Sequence, residues 1–151
     1  MKKTVAVSLL LAIALITVPA SASPPEQVTI VSHMSLSTAT GTFEASGPAV
    51  DAGAICPSGD VYDLSYRAAG YQSKTQLNLF VHKLFVCADG TGTFEMDLNV
   101  RIVFSQETTA KWRVVAGDGP YTDLHGNGKL TALSVDEDHL IDTYVGQLHI
   151  D

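Results

Sequence analysis

Apolar and polar residues alternate along most of this chain with a period of two, the mark of strands that bury one face. The clearest run is residues 91–104. Phe94, Met96, Leu98, Val100, Ile102 and Phe104 fall on one side, and Thr93, Glu95, Asp97, Asn99 and Arg101 on the other. The opposite parity would bury unpaired carboxylates, each at a cost of several kcal/mol. The pattern therefore predicts Met96, Leu98 and Val100 inside. Residues 75–87 are also β-rich, and Ala88-Asp89-Gly90-Thr91-Gly92 is a turn signal, so the two runs read as a hairpin. Further strands are predicted over residues 27–36, 41–46, 61–67, 108–116, 128–135 and 141–150, eight in all. No segment shows a 3.6-residue period over ten residues. The connections are short except for residues 47–60, which carry Pro48 and Pro57. The fold class is all-β, and an eight-stranded antiparallel up-and-down barrel fits best. A two-sheet β-sandwich is the alternative.

The fourth predicted strand does not declare its inner face. Leu77, Leu79, Val81 and Phe85 share one side with Lys83; Phe80, Leu84 and Val86 share the other with Asn78 and His82. Apolar residues on both sides predict an outer cover, either the 47–60 loop or a second subunit in a homo-oligomer. Whichever face turns inward brings a polar group with it, and a buried His or Lys is a candidate for proton transfer as well as for a structural hydrogen bond.

Residues 1–22 change the picture of compartment. Met1-Lys2-Lys3 is followed by an apolar run, residues 4–18, and then by Pro19-Ala20-Ser21-Ala22, the pattern of a secretory signal peptide cleaved after Ala22. The expected organisation is a leader, 1–22, and a single barrel domain, 23–151. Cleavage removes two of the nine basic residues and none of the sixteen acidic ones, leaving a formal charge of −9. Such a protein has no electrostatic reason to bind nucleic acid or an anionic membrane. In an exported chain the two cysteines, Cys56 and Cys87, suggest a disulfide. Cys56 precedes the third predicted strand and Cys87 ends the fourth, which places both at the same end of an antiparallel pair.

The segment KWRVVAGDGPYTDLHGNGKLTA, residues 111–132, carries the densest glycine pattern. Its Gly117, Gly119, Gly126 and Gly128 read as tight turns and close approaches where a Cβ would clash. Trp112–Tyr121 with Leu124 and Gly126-Asn127-Gly128 resembles the strand–turn–strand signature of the allene oxide cyclase-like barrels. Dirigent proteins carry a related Gly-x-Gly-aromatic pattern. The similarity is closer to small exported bacterial proteins with an allene oxide cyclase barrel-like domain, in which a segment like residues 85–94 precedes the Trp-containing strand. The resemblance covers about residues 56–146. It implies an eight-stranded barrel with an apolar interior, used by some relatives for cyclisation or for steering a coupling reaction. The matched residues are scaffold positions, so no catalytic residue carries over.

Candidate chemistry is sparse. His33, His82, His125, His139 and His149 lack the spacing of a metal pair, and there is no HExxH, no Gly-x-Ser-x-Gly and no dinucleotide fingerprint. Asp136-Glu137-Asp138 reads as a hairpin tip rather than a calcium loop. No metal or cofactor is expected. The interior is the better candidate, lined by Tyr62, Tyr66, Met96, Leu98, Trp112 and Tyr144, with Tyr62 and Tyr66 on one face. The expected role is binding of a small apolar molecule in the barrel, or a structural one. A cyclase- or isomerase-type enzyme acting by shape and proximity is the alternative, and a loop-borne inhibitor or adhesion role is a third.

Overall fold

A computed structural model describes residues 24–69, 73–104 and 106–151. The predicted leader lies outside the described residues. The strands are β1 (Glu26–Ser35), β2 (Thr40–Ser46), β3 (Ser58–Ala68), β4 (Gln76–Cys87), β5 (Thr93–Val103), β6 (Thr108–Asp118), β7 (Leu124–Ser134) and β8 (His139–Ile150), with a short helix α1 (Pro48–Asp51) and a 3₁₀ turn (Gly119–Tyr121). Each strand pairs antiparallel with the next, and β8 returns to β1, so the ladder closes into an up-and-down barrel. The sandwich alternative is thereby set aside. The alternation in β5 has the predicted sense: Phe94, Met96 and Leu98 are buried in the core. Among the described residues no helix is long and apolar enough to cross a membrane.

The interior divides into two halves. The lower half lies towards the starts of β1, β3, β5 and β7 and is packed solid with aromatic rings. Phe85 and Phe94 stack with centroids 4.8 Å apart, and Phe43 meets Phe85 edge-on at 5.2 Å. Tyr121, from the 3₁₀ turn, closes on Phe94 at 6.0 Å, and Tyr144 on Phe85 at 5.9 Å. Stacked and edge-to-face pairs of this kind add about 0.5–1.5 kcal/mol each beyond the area they bury. The segment between β2 and β3 seals this end: Ala49, Ala54, Ile55 and Cys56 are buried, and α1 packs on β1, β2 and β8. That segment was one of the two covers expected for the outer face of β4, the other being a second subunit. It caps the barrel end instead, because its apolar residues find the open rim of the aromatic core. Cys56 and Cys87 are joined, 31 residues apart in sequence, a loop whose closure stabilises the fold by roughly 3–4 kcal/mol in the chain-entropy model.

Two local expectations are corrected. The turn reading is corrected for Gly126, inside β7, and Gly117, inside β6, while Gly128 lies in β7 as its predicted strand had it. A Cβ at any of the three would clash as expected, and Gly119 does occupy a turn, with φ of 64°. Gly128 pairs with Trp112 on one side and Gly146 on the other. The bare backbone there leaves room for the indole, whose Cζ2 would lie 2.6 Å from a Cβ on Gly128. Trp112 Nε1 donates to the Lys129 carbonyl at 3.0 Å, so its one polar group is satisfied in the wall. The second correction concerns β3. The β3–β4 register shifts between Asp63 and Ser65, a bulge that inserts Leu64 and reverses the alternation beyond it.

Candidate functional site

The upper half of the barrel is open. A cavity of about 420 Å³ is lined on its walls by Leu79, Val81, Leu98, Val100, Ile102 and Leu130, among others. Its mouth lies among the turns β1–β2 and β7–β8 and the end of β3, where Leu36, Ala39, Tyr66 and Ser134 contribute. That size falls within the range of about 300–1,000 Å³ typical of small-molecule sites. The rim is held by hydrogen bonds between two turns. Asp138 accepts from Ser35 Oγ at 2.8 Å and from the Ser37 amide at 2.7 Å, and the Leu36 amide donates to the Asp138 carbonyl. The Asp136 carboxylate accepts from the Asp138 and His139 amides. Asp138 thus fastens the two turns together, and Asp136 braces the turn that carries it.

The floor is polar. β4 turns Lys83 inward between Val81 and Phe85, which settles the face left open by the sequence. Lys83 Nζ lies 2.7 Å from Asp63 Oδ1 on the neighbouring β3 and 3.3 Å from Asp142 Oδ2 on β8. Since β4 and β8 lie on opposite walls, the second contact spans the lumen. Tyr144 donates to Asp142 Oδ2 at 3.4 Å, and buried Ser32 stands opposite Asp142 in the β1–β8 ladder. Lys83 and Asp142 are each 4% exposed. Burial raises the Asp142 carboxyl above its ordinary range, and the Lys83 charge pulls it back in part. Burial, reinforced by the Asp142 charge, holds the Tyr144 phenol well above its usual value. It therefore remains an O–H donor at neutral pH. Chemically, the floor offers a charged donor, Lys83, and a partly accessible carboxylate, Asp63, beneath an apolar chamber.

The six predicted lining residues separate into three groups. Leu98 and Tyr66 line the cavity, Tyr66 from the rim. Met96, Trp112 and Tyr144 point inward but belong to the packed half, with Trp112 and Tyr144 centroids 6.5 Å apart. Tyr62 is corrected: it pairs with Leu84 on the outer face, while Tyr66 pairs with Val81 on the inner one. The bulge at Leu64 parts two tyrosines that simple alternation had put together. Asp63 and Asp142 were missed. The available signal was their parity: Asp63 alternates with Val61, and Asp142 falls between Leu140 and Tyr144 on the inward side of β8.

His82 is on the outer wall. Its Nδ1 lies 2.9 Å from Asp97 Oδ1 and its Nε2 2.9 Å from Glu95 Oε2, while Arg113 reaches Asp97 at 3.1 Å. Hydrogen bonding to Asp97, against some desolvation, raises the imidazole above its ordinary value, and the same bond lowers Asp97. Beside it Arg67 lies over the Phe80 ring at 4.5 Å. Among the described residues no cluster of three or more His, Cys, Asp or Glu side chains is arranged to hold a metal ion. Comparison of the chain with protein-family models, with curated proteins and with solved structures finds no match in any of the three.

Proposed function

We propose that this protein is exported and holds a small, largely apolar molecule in the upper half of its barrel. The observation that carries the reading is the division of the interior: aromatic rings fill the lower half, while apolar side chains in the upper half surround about 420 Å³ open towards the rim. Eight-stranded barrels can be filled by their own side chains, and this one is filled only to the level of Lys83. The leader-like residues 1–22 support export, and the buried Cys56–Cys87 bridge is compatible with an oxidising compartment. Closure of eight strands in up-and-down order is the architecture that the allene oxide cyclase-like resemblance implies, and supports that affiliation as a proposal.

Native mass spectrometry of the secreted protein, incubated with a mixture of terpenes, fatty alcohols and polyenes, tests the reading. Bound species are expected with wild type and lost in Val100→Trp, whose indole would fill the chamber. Binding unchanged in that variant, or none in wild type, would remove the cavity as the site.

A second reading, cyclase- or isomerase-type catalysis, is favoured by the floor groups. Lys83 can hydrogen-bond a substrate oxygen while Asp63 stands beside it as a proton acceptor, at the floor of an apolar chamber. Conversion of a bound unsaturated ketone or epoxide, lost in Asp63→Asn with binding retained, would distinguish catalysis from simple carriage.

A further inference from the structure

We infer that the molecule held in the barrel is uncharged and carries an oxygen acceptor, a carbonyl or hydroxyl, at the end that meets Lys83. This rests on the cavity reading and specifies its ligand class. An ammonium group has three N–H donors. Asp142 Oδ2 accepts one of those of Lys83, and Asp63 Oδ1 occupies a second side of the ammonium as an ion-pair partner at 2.7 Å without hydrogen-bond geometry; among the described residues no other side chain is bonded to it. Lys83 lines the cavity, together with Asp63 and Asp142. The remaining donor is available to a ligand that descends between Leu79, Val81, Leu98 and Val100.

Charge decides what that ligand can be. One cation faces two carboxylates. A fatty-acid carboxylate would place a third anion in a low-dielectric floor, where repulsion acts at close range with little screening. An alkylammonium would meet the carboxylates only with Lys83 already between them, and would bring a like charge against it. A hydrocarbon would leave the third N–H without an acceptor once it had displaced water, and an unmade bond by a buried charged donor is costly. A neutral oxygen completes the ammonium's set without changing the charge. Burial, more than the neighbouring Asp63 charge, raises the Asp142 carboxyl, so a further negative charge at this depth meets the same desolvation cost.

The test uses five probes with one linear chain: methyl nonyl ketone, undecanol, undecane, undecanoate and undecylamine. Each is titrated at neutral pH against wild-type protein by calorimetry or by displacement of a fluorescent apolar probe. The ketone and the alcohol should bind about tenfold or more tighter than undecanoate and undecylamine, and measurably tighter than undecane. In bound ketone the carbonyl stretch should move to lower frequency. In Lys83→Met that shift and the advantage of ketone over hydrocarbon should both vanish. Undecanoate or undecylamine binding as well as the ketone would overturn the inference while leaving the cavity in use. Binding of all five at equal strength would do the same. Failure of every probe, undecane included, would overturn the cavity reading itself, and this inference with it. The wild-type series decides the matter even if Lys83→Met does not fold.

Discussion

Lys83 and Asp63 stand directly opposite each other on β4 and β3, and their charged atoms close to 2.7 Å at the floor of the cavity. The pair is tied in turn to Asp142 on the far wall. Removing the cation alone leaves two carboxylates facing each other in the interior. Lys83→Met should therefore destabilise the protein by about 3–5 kcal/mol. The triple change Lys83→Met, Asp63→Asn, Asp142→Asn should recover most of that loss, because no charge is then stranded. Urea unfolding of both variants checks the contrast. Equal destabilisation would show that the trio acts through packing rather than charge.

The meeting of Trp112 with Gly128 and Gly146 predicts intolerance of even one methyl group. Gly128→Ala would press a Cβ on the indole and on the Val145 carbonyl. A loss of about 1–3 kcal/mol is expected, the usual cost of overpacking. Gly53, which has open space around its missing Cβ but φ of 75°, isolates backbone strain from crowding. Gly53→Ala should cost less, and thermal melts of the two single variants compare them. A Gly128→Ala melt indistinguishable from wild type would contradict the close-packed wall.

Replacing both Cys56 and Cys87 by Ala should lower stability by about 2–5 kcal/mol. The effect should centre on the sealed end, since Cys56 belongs to the segment that buries Ala54 and Ile55 over the aromatic core. Hydrogen exchange of residues 47–60 should quicken more than that of β5 and β6. Uniform quickening across the barrel would argue that the bridge acts on the whole fold alone.

A pH response follows from the outer wall. In the folded protein His82 titrates above its ordinary value of 6.5, chiefly through Asp97. The folded state then holds the proton more tightly than the unfolded one. Its contribution is complete below about 6.5 and is lost as pH rises through the elevated folded value. His139 is raised likewise by Asp136 and adds to the same slope. The melting temperature should fall modestly from slightly acid to slightly alkaline pH, because solvent screens both of these ion pairs. His82→Gln should flatten the slope in part, and His82→Gln with His139→Gln further. A melting temperature that rises across this window would refute the assignment.

Strands such as β5 could be read from alternation because each must bury one face and wet the other, and β4 from its β-rich composition beside a turn signal. The start of β7 could not. His125-Gly126-Asn127-Gly128 has the composition of a turn, and it becomes strand only because Trp112 and β8 flank it. The bulge at Leu64 escaped for a different reason: an inserted residue changes register without changing composition, so Tyr62 and Tyr66 looked like neighbours. Lys83 was legible as a candidate but not as a site. Its strand is apolar on both faces, and the partners that give it meaning, Asp63 and Asp142, are brought to it by closure of the ring. Cavity depth was equally out of reach, since nothing in alternation tells a side chain that fills the lumen from one that merely lines it.

The pairing of β1 with β8 sets Glu26 opposite Leu148, joining the two most distant parts of the barrel. Every other seam is formed by strands consecutive in the chain, so this one bears the largest loop-closure entropy and gains nothing until both flanking strands arrive. Until then β1 and β8 each present an unpaired edge. Folding time should therefore depend on this single joint. A circular permutant that links the ends of β1 and β8 and opens the chain in the β5–β6 turn would make the slow seam local and move the kinetic burden to the opposite wall, leaving the finished barrel the same.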